Sequence, residues 1–96
     1  MPTFEAEPRF LRDYRALSKE RKRLFAAAVR LLMVGLKPRR VPAGRRVKRV
    51  QGAIGVWELT GASDGRATFE YGEELRAGDA HVIWRRIGTH EIFDRP

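Results

Sequence analysis

The run HVIWRRIGTHEIF at residues 81–93 contains residue types that a strand does not require. Its valine, isoleucine and tryptophan suit a sheet, whereas Arg85, Arg86, His90 and Phe93 suit a site. Guanidinium groups bind phosphate, histidine exchanges protons near neutral pH, and an aromatic ring can stack on a nucleobase. These four side chains are therefore candidates for binding or cleaving a nucleic acid.

A second candidate feature is the basic segment KPRRVPAGRRVKRV at residues 37–50. The chain has a net charge of +8, and no acid lies between Glu20 and Glu58, an interval that holds eleven Arg and Lys residues. Such a charge attracts polyanions, of which nucleic acid is the commonest and an acidic protein segment the next, although a merely solvated basic surface is the alternative. Three residues of this segment are candidate RNA contacts: Arg45, Arg46 and Arg49.

Composition limits the class of protein. A chain of 96 residues with 43% apolar residues suits a single domain, residues 1–96. It has no cysteine and only two histidines, so we expect no metal and no cofactor. No run approaches the roughly 18 to 20 apolar residues of a membrane helix, and no signal peptide is visible, so we expect a soluble cytoplasmic protein with no membrane partner.

Periodicity predicts two helices followed by strands. Pro8 and the apolar spacing predict a helix over residues 8–17, and Ser18 can cap a second helix that ends near Gly35. Period-two patterns then predict strands at 46–50, 56–60, 67–71 and 81–88. Short connections favour an α+β fold, a two-helix hairpin packed on one face of a four-stranded antiparallel sheet, with PTFEAE able to add a fifth, edge strand.

Side-chain alternation sorts the predicted elements into a core and an open face. The predicted core residues are Leu24, Phe25, Ala28, Leu31 and Leu32 on the second helix and Trp57, Leu59, Ala67, Phe69, Tyr71, Ile83 and Ile87 on the strands. The open face then receives Glu58, Thr60, Arg66, Thr68, Glu70, Val82, Trp84, Arg86, Gly88 and His90. Either Val47 or Val50 can point inward, so the face of Lys48 stays undecided. We interpret His81 as a structural residue at a strand edge.

An open face with these side chains has the components for RNA cleavage without a metal. The 2′-hydroxyl must lose a proton, the phosphorane must be stabilised, and the leaving 5′-oxygen must gain a proton. Glu58 or Lys48 could serve the first step, Arg66 and Arg86 the second, and His90 the last. Surface salt bridges and a structural histidine are the alternative interpretation of the same residues.

The order of the elements, with VKRVQG, GVWEL, DGRATFEYG and WRRIGTHEIF, resembles the RelE/ParE superfamily of bacterial type II toxins over nearly the whole chain. The resemblance implies a metal-independent endoribonuclease, an mRNA interferase that inhibits translation, with mRNA, the ribosome and a cognate antitoxin as partners. It also implies a heteromeric toxin-antitoxin complex in which the antitoxin covers the basic surface.

The resemblance also implies roles for individual residues. Arg66 matches the strand arginine that contacts the scissile phosphate, His90 matches a terminal acid or phosphate ligand, and Phe93 resembles the terminal aromatic. RelE has lysines on the strand that here reads WELT, and other relatives have a glutamate at the position of Lys48. The general base is therefore open between Glu58 and Lys48.

Two further functions are compatible with the same resemblance. Some members of the superfamily inhibit DNA gyrase and lack nuclease chemistry, because one fold can carry different functions. The chain could also be a non-catalytic module whose basic face binds only an acidic antitoxin segment.

Overall fold

The computed structural model describes residues 2–36, 47–61 and 65–96. Two helices and five strands form an α+β fold, and the strand order in the sheet is β1-β5-β4-β3-β2. The elements in chain order are β1 (Thr3–Ala6), α1 (Pro8–Arg15), α2 (Lys19–Gly35), β2 (Val47–Arg49), β3 (Trp57–Thr60), β4 (Arg66–Tyr71), β5 (His81–Gly88) and a 3₁₀ helix (His90–Asp94).

The predicted α+β class is confirmed, and the sheet differs from the prediction at one edge. Strands β2 to β5 form the predicted antiparallel meander. The first residues do add a fifth strand, but β1 pairs with β5 in parallel, from Thr3 opposite His81 to Ala6 opposite Trp84. The sheet is therefore mixed, and β5 is an interior strand between β1 and β4.

Local sequence signals place the helix ends. Pro8 occupies the first turn of α1, where its missing N–H costs nothing. The Ser18 side chain accepts a hydrogen bond from the Arg21 backbone N–H at 3.1 Å, as expected of a helix N-cap. Helix α1 ends at Arg15, two residues earlier than predicted, yet Leu17 in the linker still packs against the core.

The core lies between the helices and one face of the sheet. Its buried members are Phe10, Ala28 and Leu32 from the helices and Trp57, Leu59, Ala67, Phe69, Val82, Trp84 and Ile87 from the strands. The prediction for Leu31 was wrong, because this side chain is 61% exposed. Successive residues of a helix lie about 100° apart, so Leu31 points away from the line of Ala28 and Leu32 that meets the sheet.

A β-bulge in β5 overturns part of the predicted sorting of faces. Trp84 lies opposite Phe69 and Arg86 lies opposite Thr68, so Arg85 is the extra residue between two register positions. An extra residue shifts the alternation of side chains, which therefore differs before and after Arg85. A strict period of two cannot describe this strand.

The bulge brings Trp84 and Val82 into the core, where the sequence pattern placed them outward. Trp84 is 6% exposed, and its ring lies 5.1 Å from that of Phe25 between centroids. Ile83, predicted to face the helices, instead lies opposite Glu70 and is partly exposed. Beyond the bulge Ile87 faces the core, as predicted.

Tyr71, predicted as a core residue, packs against the margin of the core and is partly exposed. Its ring contacts that of Phe69 edge to face at 5.9 Å between centroids. Burial raises the pKa of the Tyr71 phenol above its ordinary value of 10.0, because the phenolate would lose hydration. The hydroxyl is buried and has no hydrogen-bond partner within the described part of the chain.

Candidate functional site

A row of four side chains crosses the open face of the sheet. Lys48 lies opposite Glu58, Glu58 opposite Thr68, and Thr68 opposite Arg86, on four neighbouring strands. Directly opposed residues of antiparallel strands share a face and have Cβ atoms about 4.5 to 5.5 Å apart. The structure thus places Lys48 on the same face as Glu58, since Val47 rather than Lys48 is opposite the core residue Leu59.

Arg66 occupies the next row of the open face. It lies opposite Thr60 on β3 and Gly88 on β5, and its Nη1 donates to the Gly65 carbonyl at 2.9 Å. The side chain is half-buried. Because Arg66 is displaced by two residues from Thr68 on the same strand, its register position flanks the row that contains Glu58.

Arg86 is held by a partner that sequence analysis did not identify. Its Nε donates to Asp13 Oδ2 at 2.6 Å and its Nη2 to Oδ1 at 3.3 Å, while its Nη1 donates to the Arg95 carbonyl at 3.2 Å. Asp13 Oδ2 also accepts a hydrogen bond from the backbone N–H of Ile87 at 3.2 Å. The pairing of β5 with β1 ends at Trp84, so Asp13 takes the place of a strand partner at Ile87. Arg86 therefore joins α1 to the bulged strand instead of standing free on the face.

Arg85 is likewise paired with protein groups. Its Nη1 donates to Glu70 Oε2 and its Nε to the Pro96 carbonyl, both at 3.0 Å. The Thr68 hydroxyl donates to the same Pro96 oxygen at 3.4 Å and is fully buried. Residues 95 and 96 thus cover the middle of the row, leaving its Lys48 and Glu58 end uncovered by these contacts.

His90 and Phe93 lie together on the 3₁₀ helix. Their ring centroids are 5.2 Å apart, with the rings at 64° to each other. His90 is exposed and Phe93 is half-buried, whereas Ile92 between them is 4% exposed and fixes the helix to the sheet. A Cβ atom at Gly88 would lie 3.0 Å from Ile92 Cγ2, so the glycine permits this close approach.

The remaining candidate RNA contacts lie elsewhere. Arg49 is opposite Trp57 and therefore on the other face of the sheet, with its guanidinium carbon 5.2 Å from the Trp57 ring centroid. Such a cation–π contact fixes the arginine over the ring. Arg45 and Arg46 lie outside the described residues.

His81 is buried at the other end of β5 and contacts two residues of β1. It is 3% exposed, its Nδ1 lies 2.7 Å from Thr3 Oγ1, and its Nε2 lies 2.6 Å from Glu5 Oε1. Both partners belong to β1, so the imidazole fastens the parallel edge strand to β5. This geometry is that of a structural residue.

Within residues 2–36, 47–61 and 65–96, no group of three His, Asp or Glu side chains is arranged to hold a metal ion. No helix in these three ranges is both long and apolar enough to span a membrane.

The open face carries Lys48, Glu58 and Arg66 at adjoining register positions, and His90 lies on the 3₁₀ helix that follows β5. These groups can exchange protons and stabilise an anionic transition state.

Comparison with known proteins identifies a shared fold. A chain of the RelB-RelE antitoxin-toxin complex from Methanococcus jannaschii superposes with a TM-score of 0.56 at 13% sequence identity, covering 95% of this chain and 98% of that chain. At this identity the likeness shows the fold alone. No model of a known protein family and no curated protein matches the sequence.

Proposed function

We propose that this protein is the toxin of a type II toxin-antitoxin system and a metal-independent endoribonuclease that cleaves mRNA in the ribosome. The observation that carries the proposal is the placement of Lys48, Glu58 and Arg66 in adjoining rows of one face. The fold shared with a chain of an antitoxin-toxin complex supports the toxin class, and the charge of +8 supports a nucleic-acid substrate.

We favour Glu58 over Lys48 as the general base because of the chemistry of the two side chains. A carboxylate accepts a proton, whereas the ammonium group of Lys48 has no acceptor. Glu58 would take the proton of the 2′-hydroxyl, and the 2′-oxygen would attack the adjacent phosphorus. Lys48, directly opposite on β2, would attract the phosphate and hold the RNA against the row.

Arg66 and His90 would complete the reaction. Arg66 would stabilise the added negative charge on the phosphorane through its guanidinium N–H groups. His90 would protonate the departing 5′-oxygen, leaving a 2′,3′-cyclic phosphate and a 5′-hydroxyl end. Phe93, whose ring contacts that of His90, would stack on a neighbouring base.

Arg86 has a different role in this mechanism from the one expected of a phosphate ligand. Its contacts with Asp13 and with the carbonyl of Arg95 position α1, the bulge and residues 95–96 around the site. The phosphate contact therefore falls to Arg66. Arg85, paired with Glu70, belongs to the same supporting structure.

The proposed partners are mRNA, the ribosome and a cognate antitoxin, which would form a heteromeric complex with this chain in the cytoplasm. The acid-free, basic segment suits both an RNA and an acidic antitoxin, because both are polyanionic. The antitoxin would then prevent cleavage by occupying surface that the RNA needs.

Inducible expression in bacteria tests the proposed function. Messenger RNA 5′ ends are mapped within minutes of induction for the wild type, Glu58→Gln, Arg66→Ala and His90→Gln, with the exposed Arg76→Ala as the matched control for Arg66. New 5′ ends in translated regions should appear with the wild type and Arg76→Ala. Loss of a charge-stabilising donor costs roughly 10² to 10³ in rate, so Arg66→Ala should lose nearly all cleavage.

Other outcomes would refute this function. Growth arrest with DNA damage and intact transcripts would identify a gyrase inhibitor, and no arrest would favour a module that only binds an antitoxin. Cleavage equal to wild type in Glu58→Gln and His90→Gln would remove these residues from the mechanism.

A further inference from the structure

The connection between β2 and β3 is a compact turn. The Val50 backbone N–H donates to the Val56 carbonyl at 3.0 Å, and the Val56 N–H donates to the Ala53 carbonyl at 3.2 Å. Gly52 and Gly55 have φ angles of 80° and 77°, in the left-handed region that favours glycine. Hydrogen bonds and glycines together therefore define the shape of this turn.

The turn and the adjoining strand ends line a pocket that is open to solvent. This turn pocket is lined by residues 49–50 and 52–57, and its volume is about 730 Å³. A Cβ atom added at Gly52 or Gly55 would meet no atom of the described residues within 4 Å, so space is open beside both glycines. Ligand pockets measure roughly 300 to 1,000 Å³, so the turn pocket has room for a nucleobase.

Arg49 brings an unpaired positive charge to the turn pocket. Its guanidinium carbon lies 5.2 Å from the Trp57 ring centroid. Among the described residues no acid lies within ion-pair distance of Arg49, whereas Arg86 pairs with Asp13. A guanidinium held over one ring can stack on a second ring from its outer side. The charge of Arg49 is therefore available to a ligand.

Ile54 adds an apolar surface on the turn side of the pocket. Its side chain is fully exposed, so an occupant that covers it removes apolar area from water. A phosphate alone gains nothing from Ile54, and an apolar side chain gains nothing from the charge of Arg49. A second copy of this chain would carry the same charge of +8 and would be repelled. A nucleotide uses both features.

The turn pocket adjoins the proposed cleavage site across a single strand. Lys48 and Arg49 are consecutive on β2, so their side chains point to opposite faces of the sheet. Lys48 lies opposite Glu58, and Arg49 lies opposite Trp57. The order of strands ends at β2, so an RNA held by Lys48 can cross this edge and place a neighbouring base on the Arg49 side.

We infer that the turn pocket binds a purine base of single-stranded RNA, next to the position at which the proposed reaction cleaves the chain. The base stacks on the outer side of Arg49 and covers Ile54. A purine has two fused rings and therefore stacks over a larger area than a pyrimidine. This inference rests on the proposed function and names a base preference for its substrate.

The test measures binding of the full chain to three uncleavable oligomers at low salt. These are 2′-O-methyl hexaadenylate, 2′-O-methyl hexauridylate and a 2′-O-methyl ribose-phosphate chain of the same length without bases. The methyl group blocks the 2′-oxygen that would attack phosphorus, so binding is separated from cleavage. Fluorescence anisotropy gives the affinity, ¹⁵N NMR shifts give the contact surface, and circular dichroism checks that each variant is folded.

Arg49→Lys separates stacking from electrostatic attraction, because lysine keeps the charge and lacks the planar guanidinium. The matched control is Arg76→Lys, at an exposed position on the β4–β5 connection. Hexaadenylate should bind the wild type most tightly and should shift the amide signals of Gly52 and Gly55. Stacking of one base changes affinity by roughly 5- to 150-fold, so Arg49→Lys should bind hexaadenylate at least about fivefold more weakly than Arg76→Lys.

Ile54→Ser gives a second test that does not disturb the core, because Ile54 is fully exposed. This variant should bind hexaadenylate more weakly than Leu75→Ser, its control at another exposed apolar residue. Equal binding of hexaadenylate and the chain without bases would show an electrostatic contact only and would overturn the inference. Wild-type affinity in both Arg49→Lys and Ile54→Ser, shifts confined to the open face of the sheet, or no binding would also overturn it.

RNA cleavage after induction is measured in parallel, so that the two proposals can fail separately. Cleavage that is unchanged in Arg49→Lys and Ile54→Ser, with no purine enriched beside the cut, leaves the function standing and removes the turn pocket. Binding that depends on both residues, without cleavage by the wild type, removes the nuclease and leaves the turn pocket. When both proposals hold, purines should be enriched beside the cuts of the wild type and less enriched beside those of Arg49→Lys.

Discussion

Replacing Asp13 with alanine would remove the side chain that joins α1 to the bulge of β5. The Asp13 carboxylate accepts two hydrogen bonds from Arg86 and one from the Ile87 backbone N–H. The Asp13 and Arg86 side chains are 19% and 23% exposed, so solvent screens the pair only in part. The variant would leave the Nε and Nη2 groups of Arg86 and the Ile87 backbone N–H without the Asp13 acceptor, while Nη1 would keep the Arg95 carbonyl.

The expected cost follows from this degree of burial. Breaking a fully buried pair costs roughly 3 to 5 kcal/mol, and an exposed pair contributes about 0 to 1 kcal/mol. With about one fifth of each side chain exposed, we expect Asp13→Ala to lower the free energy of unfolding by about 2 to 3 kcal/mol. For a domain of this size that corresponds to a fall in Tm of roughly 10 to 20 °C.

Urea unfolding followed by circular dichroism would measure this cost, with Glu20→Ala as the control. Glu20 forms an ion pair with Arg23 on α2, and both side chains are more than half exposed. Its removal should cost less than about 1 kcal/mol. A double-mutant cycle with Arg86→Ala should return a coupling energy of about 1 kcal/mol or more. If Asp13→Ala were as stable as Glu20→Ala, the assigned role of the Asp13 pair would be wrong.

Three further predictions concern other parts of the fold. Tyr71→Phe should be at least as stable as the wild type at pH 7, because it removes a hydroxyl that has no partner among the described residues. Above pH 10 the wild type should lose more stability than the variant, since the tyrosine ionises in the unfolded chain before the raised-pKa Tyr71 of the folded protein does; parallel urea titrations at pH 8 and 10.5 would decide this. Gly88→Ala should displace Ile92 and the 3₁₀ helix that carries His90. The proposed RNA cleavage should then lose more rate than the fall in Tm explains, and a loss of rate fully explained by unfolding would contradict this. His81→Leu should release β1, seen as faster amide hydrogen exchange at residues 3–6, whereas unchanged protection would show that Glu5 and His81 are dispensable.

Sequence periodicity predicted most of the fold because most of its elements obey simple rules. The cap at Ser18, Pro8 in the first turn of α1 and the antiparallel order of β2 to β5 all depend on short-range patterns. The direction of β1 could not be predicted in this way, since its partner β5 lies at the far end of the chain. Pairing between distant segments leaves no local signal.

The candidate site was predictable where alternation was regular and not where it was interrupted. The strands that carry Lys48, Glu58 and Arg66 have no bulge. The alternation of side chains therefore assigned Glu58 and Arg66 to the correct face of the sheet, and only the face of Lys48 stayed undecided. The bulge at Arg85 made the predicted face of Trp84 wrong, because the spacing of apolar residues does not reveal an extra residue in a strand. The partner of Arg86 had one visible signal, the acidic Asp13 between Phe10 and Tyr14 on a helix whose neighbouring positions face the core.

The parallel pairing of β1 with β5 also determines when the site can exist during synthesis. Thr3 and His81, which the pairing joins, are separated by 78 residues. A ribosome must therefore translate β5 before this strand can pair between β1 and β4 and bring His90 and Phe93 into place. Contacts between such distant segments form late in folding. Under the proposed function, the site is incomplete on the nascent chain until β5 and the 3₁₀ helix have been translated.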